Sequence, residues 1–538
     1  MKRNMLFIVV FILFFSSRVS ANTFLSCPII PAPQFSEKIE SQFMLSSKTI
    51  IFYNEVLATQ AFYLQSELLR YKSIPVALDG NLKKSDSSGS KIILNLLSDK
   101  QKENAAHGAF SIRMSDNEIM ITSNTKEGVF YGITSFIQLT RLSESKSKVV
   151  FVDCWNIKDK PRFEWRGLML DESRHFFGKR KVKQILDWMA LYKMNKFHWH
   201  LTDSPGWRIE IKQYPKLTFV GGIGGYTNPY TKAKYYTQEE IKDIVRYASE
   251  RFIDIIPEID MPGHATAANR AYPEFSGGGS DKHPDFTFNP GKEEVYTYLT
   301  DILREVDALF PSQIIHLGGD EVHYGNDKWH TDEAIQALMK REKLKELPEV
   351  ESYFFQRMSD SLFNMNNKLA AWDEIAESNI DPAKTIVYFW RQNKLEQLQK
   401  SLDKGYPIVM TPRLPMYLDY AQDTLQVHGV PWRSFGVNSY DKIYHFNPYG
   451  YDVNYPQNSK ILGVQVNIWT ERIITENRLD YMMFPRIAAL AENAWTESEQ
   501  RNIKNFDERL KKQFDLYRRD GIYYYDPFEP SNTGEPIY

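Results

Sequence analysis

The run His316-Leu-Gly-Gly-Asp-Glu321 holds the residue types best suited to chemistry. Two adjacent carboxylates follow two glycines at the end of an apolar stretch, Ile314 to Leu317. In a regular strand neighbouring side chains point to opposite faces, so Asp320 and Glu321 can serve one site only where the backbone leaves strand geometry. The glycines permit that departure. Two carboxyl groups held close repel, and one is driven towards the raised pKa that a general acid needs. A solvated acidic pair at a strand end is the structural alternative.

The same arrangement, a polar or aromatic cluster behind an apolar run, recurs along the chain. Asp171 to His175 follow Gly167 to Leu170, and Asp203 follows Lys196 to Leu201, a run that itself carries His198 and His200. Glu258 to His264 follow Ile253 to Ile256, and Trp372-Asp373-Glu374 follow Lys368 to Ala371. Trp390-Arg391 follow Thr385 to Phe389, Tyr417-Leu418-Asp419 follow Pro407 to Met410, and Trp469-Thr470-Glu471 follow Ile461 to Ile468. Between these eight runs lie helical stretches such as Lys181 to Tyr192, Thr237 to Arg251 and Glu293 to Leu309. The alternation predicts an α/β fold, a (β/α)8 TIM barrel, with a doubly wound open sheet as the alternative. Gly221 to Gly225 do not open a helix after a strand, so the phosphate loop of an open sheet is missing. In a barrel, functional residues gather at the C-terminal ends of the strands, which is where these clusters fall.

Clustered carboxylates beside tryptophans, with no obvious nucleophile, suit glycoside hydrolysis. An acid protonates the leaving oxygen, and indole faces cover the apolar face of a pyranose. Two rivals stand beside this reading. His198 and His200 on one strand, with His264, His316 and Asp320 on later ones, could form the metal site of a hydrolase. A non-catalytic sugar-binding protein could keep the same pocket, but binding alone has no need of the proton donor that Glu321 offers.

The rest of the chain frames that barrel. Of 538 residues, 42% are hydrophobic and 25% charged, an ordinary globular balance; 14% are aromatic, which suits a large core or a sugar-stacking site. Met1 to Ala21 reads as a secretory signal peptide: Lys2 and Arg3, an apolar run from Met5 to Phe15, then Val19-Ser20-Ala21. The apolar run is too short to span a membrane, so the expectation is a secreted, periplasmic or cell-envelope protein. The near-neutral to mildly acidic remainder, without basic tracts, argues against nucleic acid as partner. Two cysteines, Cys27 and Cys154, cannot supply a disulfide framework, and whether they pair is left open. Residues 22–158 read as a small α+β domain. Its strands are expected at Thr49 to Tyr53, Lys91 to Leu96 and Val149 to Val152, its helices at Thr59 to Tyr71 and Glu127 to Leu142, with a hairpin turning at Ser115 to Asn117. The barrel is assigned to 159–505, and a helix and tail to 506–538.

The strand-end motifs resemble the β-N-acetylhexosaminidases of glycoside hydrolase family 20. Arg166-Gly-Leu-Met-Leu-Asp171, Arg174-His-Phe176, His198-Trp-His-Leu-Thr-Asp203, Gly206-Trp-Arg208, Met261-Pro-Gly-His264, His316 to Glu321 and Trp469-Thr-Glu471 occur in family order over roughly residues 160 to 500. The resemblance implies retention assisted by the substrate: its 2-acetamido oxygen attacks the anomeric carbon and an oxazolinium forms. It further implies Glu321 as general acid and then base, Asp320 as acceptor of the acetamido N–H, and Tyr417 as donor to the acetamido oxygen. Arg174, Asp419 and Glu471 would hold ring hydroxyls, and Trp372, Trp390 and Trp469 would wall the acetamido group. Asp203 and His264 would form a relay behind Glu321. The implied partner is a glycan ending in β-linked GlcNAc or GalNAc, with no cofactor. Two departures from the family pattern appear: Ser204-Pro205 where an acid or amide usually follows the aspartate, and Gln465 where the last strand usually carries a glutamate.

Overall fold

The computed structural model describes residues 26–86, 89–97, 106–428, 430 and 432–536. The leader expected at 1–21 lies outside them. Among the described residues no helix is long and apolar enough to cross a membrane.

Residues before 160 build an eight-stranded mixed sheet. Its order is Phe35–Leu45, Val149–Asp159, Phe110–Met114, Glu118–Ser123, Lys91–Leu96, Ile50–Tyr53 and Ala77–Asp79, with Ser145–Lys146 paired beside Val149–Asp159. Helices Ala58–Lys72 and Lys126–Leu142 pack on each other and on the sheet. The hairpin forms with Met114 opposite Ile119, closed by the Ser115 N–H on the Glu118 carbonyl at 2.8 Å. The short strands Ala77–Asp79 and Ser145–Lys146 exceed the expectation, as do two larger features. The strand at Val149 runs on to Asp159, and the edge strand Phe35–Leu45 is wholly additional. That edge strand exposes Phe35 and Met44 as well as Glu37 and Glu40 and is bulged between Ile39 and Gln42; the charges and bulge blunt an open edge, while the exposed apolar residues and the bulge hide the alternation from a reading by hydrophobicity. Cys27 and Cys154 are buried and unpaired; burial pushes the Cys27 thiol up to about 12.

The second unit is a closed barrel of eight parallel strands. In chain order they are β1 (Trp165–Asp171), β2 (Lys196–His200), β3 (Asp254–Glu258), β4 (Ile314–His316), β5 (Lys368–Trp372), β6 (Thr385–Phe389), β7 (Ile408–Met410) and β8 (Ile461–Ile468). Each expected run overlaps its strand. Helices Lys179–Leu191, Gln238–Ser249, Glu293–Asp307, Leu347–Asn364, Leu395–Asp403 and Arg486–Trp495 are among those that follow them. Thr237 and Glu240 form a reciprocal capping box that fixes where the second of these begins.

The two units are joined through buried polar groups. Glu492 accepts from both terminal nitrogens of Arg509, at 2.7 and 2.5 Å, and from the Ala32 N–H at 2.9 Å. Arg509 also donates to the Ile29 carbonyl at 2.9 Å, so helix Ile503–Arg519 clamps the first described segment against the barrel. Removing the cation alone leaves a carboxylate buried without its partner. Arg509→Met should therefore cost about 3–5 kcal/mol in urea unfolding, and Arg509→Met with Glu492→Leu should recover much of it.

Candidate active site

The turn after β4 decides the geometry. Gly318 and Gly319 take φ of +68° and +92°, and both are closely packed. A Cβ on Gly318 would lie 1.9 Å from Asp260 Oδ1, and one on Gly319 would lie 2.5 Å from the Phe355 ring. Only glycine fits at either position. Glu321 itself adopts a left-handed φ of +55°, rare for a residue with a side chain, and opens the short turn Val322–Tyr324. The adjacent carboxylates consequently differ in setting. The Asp320 side chain is 12% exposed and its buried Oδ1 has no partner, whereas the Glu321 side chain is 30% exposed. Both pKa values are raised, first by burial. For Glu321 the charge of Asp320 adds to burial, while His264 and Arg174 oppose it.

Nine of the eleven residues singled out from the sequence line one cavity of about 350 Å³ at the C-terminal mouth of the barrel. They are Arg174, Asp320, Glu321, Trp372, Trp390, Tyr417, Asp419, Trp469 and Glu471. A larger cavity, about 880 Å³, lies at the opposite end among the strand N-termini, so volume does not select the site; the convergence of acids and indoles does. The aromatic walls touch one another: Trp390 and Tyr417 are near parallel at 6.5 Å, and Trp469 lies 5.9 Å from Trp372 and 6.1 Å from Tyr417. Trp390 is pinned by its indole N–H on Glu374 at 3.1 Å. Arg391 in turn binds Asp373 at 2.6 Å and Glu374 at 3.1 Å. On the other side Arg174 binds Asp203 at 2.7 Å and lies 3.6 Å from Glu471. Asp419 is half-buried, with its inner Oδ1 unpartnered, and burial and then Glu471 raise its pKa well above the carboxylate range.

Asp203 and His264 stand behind this cavity. Asp203 Oδ1 lies 3.0 Å from His264 Nδ1, whose Nε2 faces Asp320 at 3.7 Å and Glu321 at 3.9 Å. His264 reaches this place through a left-handed φ of +53°. Burial disfavours charge on its ring, but Asp203 and Asp320 outweigh that and raise its pKa to about 9. The row extends further inward than the sequence suggested. His200 bridges Asp203 Oδ2 at 2.9 Å and Glu258 Oε2 at 2.6 Å, and Trp372 donates to Glu258 Oε1 at 2.9 Å. Glu258, Asp260, Glu374 and Arg413 were not singled out. The available signal was an acid within or just beyond an apolar strand, at Glu258 and Asp260, since such a charge must be paired to be buried there.

The five residues of the metal reading do not converge on one centre. His198 and His316 meet Glu258 in the barrel interior, His200 groups with Asp203 and Asp260, and His264 with Asp260 and Asp320. Gln465, one of the two departures from the family pattern, lies beneath the cavity, where its amide donates to Asn467 at 2.9 Å and meets His198 at 3.1 Å. The positive charge of His264 lowers the Glu321 pKa, and a general acid works only while protonated. His264→Gln should accordingly lower kcat/KM and move its alkaline limb to higher pH; an unmoved limb in the pH–rate profile would separate His264 from the acid.

Comparison with known proteins places the chain as a whole in one family. The glycosyl hydrolase family 20 catalytic domain matches residues 163–498, and domain 2 of the same family matches residues 26–160. A beta-hexosaminidase of Porphyromonas gingivalis is 33% identical over 94% of the chain, which spans 65% of that relative's length. One from Vibrio furnissii is 31% identical, covering 88% of this chain and 77% of the relative. The crystal structure of an exo beta-N-acetylglucosaminidase from Vibrio harveyi, in complex with N-acetylglucosamine, superposes with a TM-score of 0.84 at 30% identity. That match covers 93% of this chain and 79% of the other.

Proposed function

Since the chain belongs to glycosyl hydrolase family 20, we propose that it is an exo-acting, retaining β-N-acetylhexosaminidase. Its substrate on this reading is a glycan with a terminal β-linked GlcNAc or GalNAc. The observation that carries the proposal is the Asp320–Glu321 pair itself. One carboxylate is buried with an unpartnered oxygen beside an indole box, and the other is more open and has a raised pKa. A glycosidase working with a protein nucleophile needs two carboxyl groups flanking the scissile bond. Here the second carboxylate lies with Trp372, Trp390 and Trp469, a setting suited to an amide N–H and its methyl group.

The steps follow from those positions. The acetamido group enters between the indoles and donates its N–H to Asp320, which turns the acetamido oxygen towards the anomeric carbon. Glu321 gives its proton to the glycosidic oxygen as the C–O bond breaks and the acetamido oxygen bonds to the anomeric carbon. The resulting oxazolinium is cationic, and buried Asp320 offsets that charge in a medium that screens it little. The aglycone leaves; Glu321, now ionised, takes a proton from water, which opens the ring with net retention. Tyr417 donates to the acetamido oxygen, while Arg174, Asp419 and Glu471 hold the remaining hydroxyls. A cavity closed by aromatic walls admits one sugar and favours removal from the chain end. The leader expected at 1–21 from the sequence would place this action outside the cytoplasm or in the envelope.

A panel of aryl β-glycosides with and without the 2-acetamido group tests the reading: only the acetamido compounds should turn over. Asp320→Asn should cost about 3–4 kcal/mol of transition-state stabilisation, seen in kcat, and a change confined to KM would contradict its role. Glu321→Gln should abolish hydrolysis of oligosaccharides while sparing aryl glycosides with good leaving groups.

A further inference from the structure

Glu258 is fully buried inside the barrel and touches neither the cavity nor solvent. Four side-chain nitrogens surround it. Oε2 has His200 Nδ1 at 2.6 Å and His198 Nε2 at 2.8 Å; Oε1 has Trp372 Nε1 at 2.9 Å and His316 Nδ1 at 3.1 Å. The two oxygens thus serve different halves of the site. From Oε2 a row runs through His200, Asp203 and His264 to Glu321. From Oε1 a single bond holds the Trp372 indole, one wall of the cavity, 5.9 Å from the Trp469 ring. The Trp372 backbone N–H also caps the Gly318 carbonyl at 3.0 Å, which ties the same residue to the turn that carries Asp320 and Glu321.

We propose that Glu258 is a positioning residue shared by the two operations of the reaction, orienting the relay behind the acid through one oxygen and the acetamido wall through the other. The proposal rests on the reading of the site as a 2-acetamido glycosidase.

The charge balance fits this role. His200 has a carboxylate on each ring nitrogen, so both nitrogens act as donors only in the imidazolium form. Burial opposes that charge, but Glu258 and Asp203 prevail and raise its pKa to about 10. His198, on the same oxygen, is held neutral by burial, with a pKa lowered to about 4 despite Glu258. The other groups facing Glu258 are His316 from β4, Trp372 from β5 and the Tyr388 phenol from β6, with Asp260 and Asp320 the acids nearest it. An amide in place of this carboxylate turns an NH2 towards donors on one side and removes the anion that keeps His200 charged. A neutral His200 leaves Asp203 less compensated, and a more negative field at Glu321 raises the pKa of the acid.

The test compares Glu258→Gln, His200→Gln and Trp372→Phe with the wild type. The readouts are the pH profile of kcat/KM on an aryl N-acetyl-β-glucosaminide and the rate ratio between N-acetyl and N-propionyl substrates. Glu258→Gln should lower kcat/KM on the order of 10–100-fold, as outer partners that orient a reacting group do. It should also move the alkaline limb to higher pH and narrow the N-acyl ratio. His200→Gln should move the limb alone and Trp372→Phe the ratio alone. A Glu258→Gln enzyme with a lowered thermal midpoint but unmoved limb and ratio, or with only one of them moved, would overturn the proposal. If that variant does not fold, Glu258→Asp replaces it, since it keeps the charge but is one methylene too short to serve both sides. A shift of both limb and ratio in Glu258→Asp would then support the proposal, and a shift of neither or of one alone would overturn it. Wild-type protein inactive on the acetamido substrate would instead remove the underlying reading.

Discussion

The mouth of the barrel is built around one electrostatic constraint: many carboxylates are buried in a small volume with few cations to hold them. Asp171, Asp203, Glu258, Asp260, Asp320, Asp419 and Glu471 all lie at or beneath one opening. The cations that touch several of them at once include Arg174 and two histidines, His200 and His264, the histidines charged only because of the acids they touch, while Arg413 and Arg472 line the same cavity. Each cation is shared. Arg174 faces Asp171, Asp203 and Glu471; His200 faces Asp203 and Glu258; His264 faces Asp203, Asp320 and Glu321. Asp203 is thereby held ionised, with a pKa well below the carboxylate range despite burial, while Asp320, Asp419 and Glu471 are pushed upwards. A site arranged this way favours positive charge arriving with the ligand, which is what the proposed oxazolinium would bring.

Much of this was legible in the sequence because a parallel barrel writes its plan locally. Buried strands read as apolar runs, and the chemistry often lies directly beyond them, so Asp171, Trp372, Trp390 and Trp469 are all found by position, whereas Tyr417 comes only after a further turn beyond Met410. The backbone demand at Gly318-Gly319 was equally visible, because two glycines before two acids have few other uses. What stayed hidden was pairing between strands. Glu258 sits 58 residues from His200 and 114 from Trp372, and nothing local to it reveals either partner. Glu374 shows the same difficulty: beside Asp373 it reads as half of an acidic pair, whereas its structural meaning is the bond to the Trp390 indole, 16 residues away. The edge strand Phe35–Leu45 escaped for another reason, since exposed Phe35 and Met44 and the bulge after Ile39 break the period of two.

The departures from the family pattern illustrate the same division between local and distant information. Ser204 lies next to Asp203 and donates its backbone N–H back to that carboxylate at 2.5 Å, a contact that adjacency in sequence makes easy to expect. Gln465 takes part in a buried chain that includes Trp165, His198 and Asn467, two of them on β8 or its neighbour β1 and one on β2, the strand beyond β1. An amide, which donates and accepts at once, can satisfy a tryptophan donor and an asparagine acceptor together, where a carboxylate would accept only.

The clamp between Glu492, Arg509 and the segment Ile29 to Ala32 also has a temporal side. Its bonds join residues 460 and 480 positions apart, nearly the length of the chain. During synthesis the segment Ile29 to Ala32 therefore leaves the ribosome without its docking surface and must wait until almost the last helix exists. The barrel cannot be sealed strand by strand as it emerges. Its β1–β8 seam closes a loop of about three hundred residues, between Trp165 and Gly463. Completion of this molecule is thus a property of the whole polypeptide, and a chain cut short by a few dozen residues lacks the helix that holds its own beginning in place.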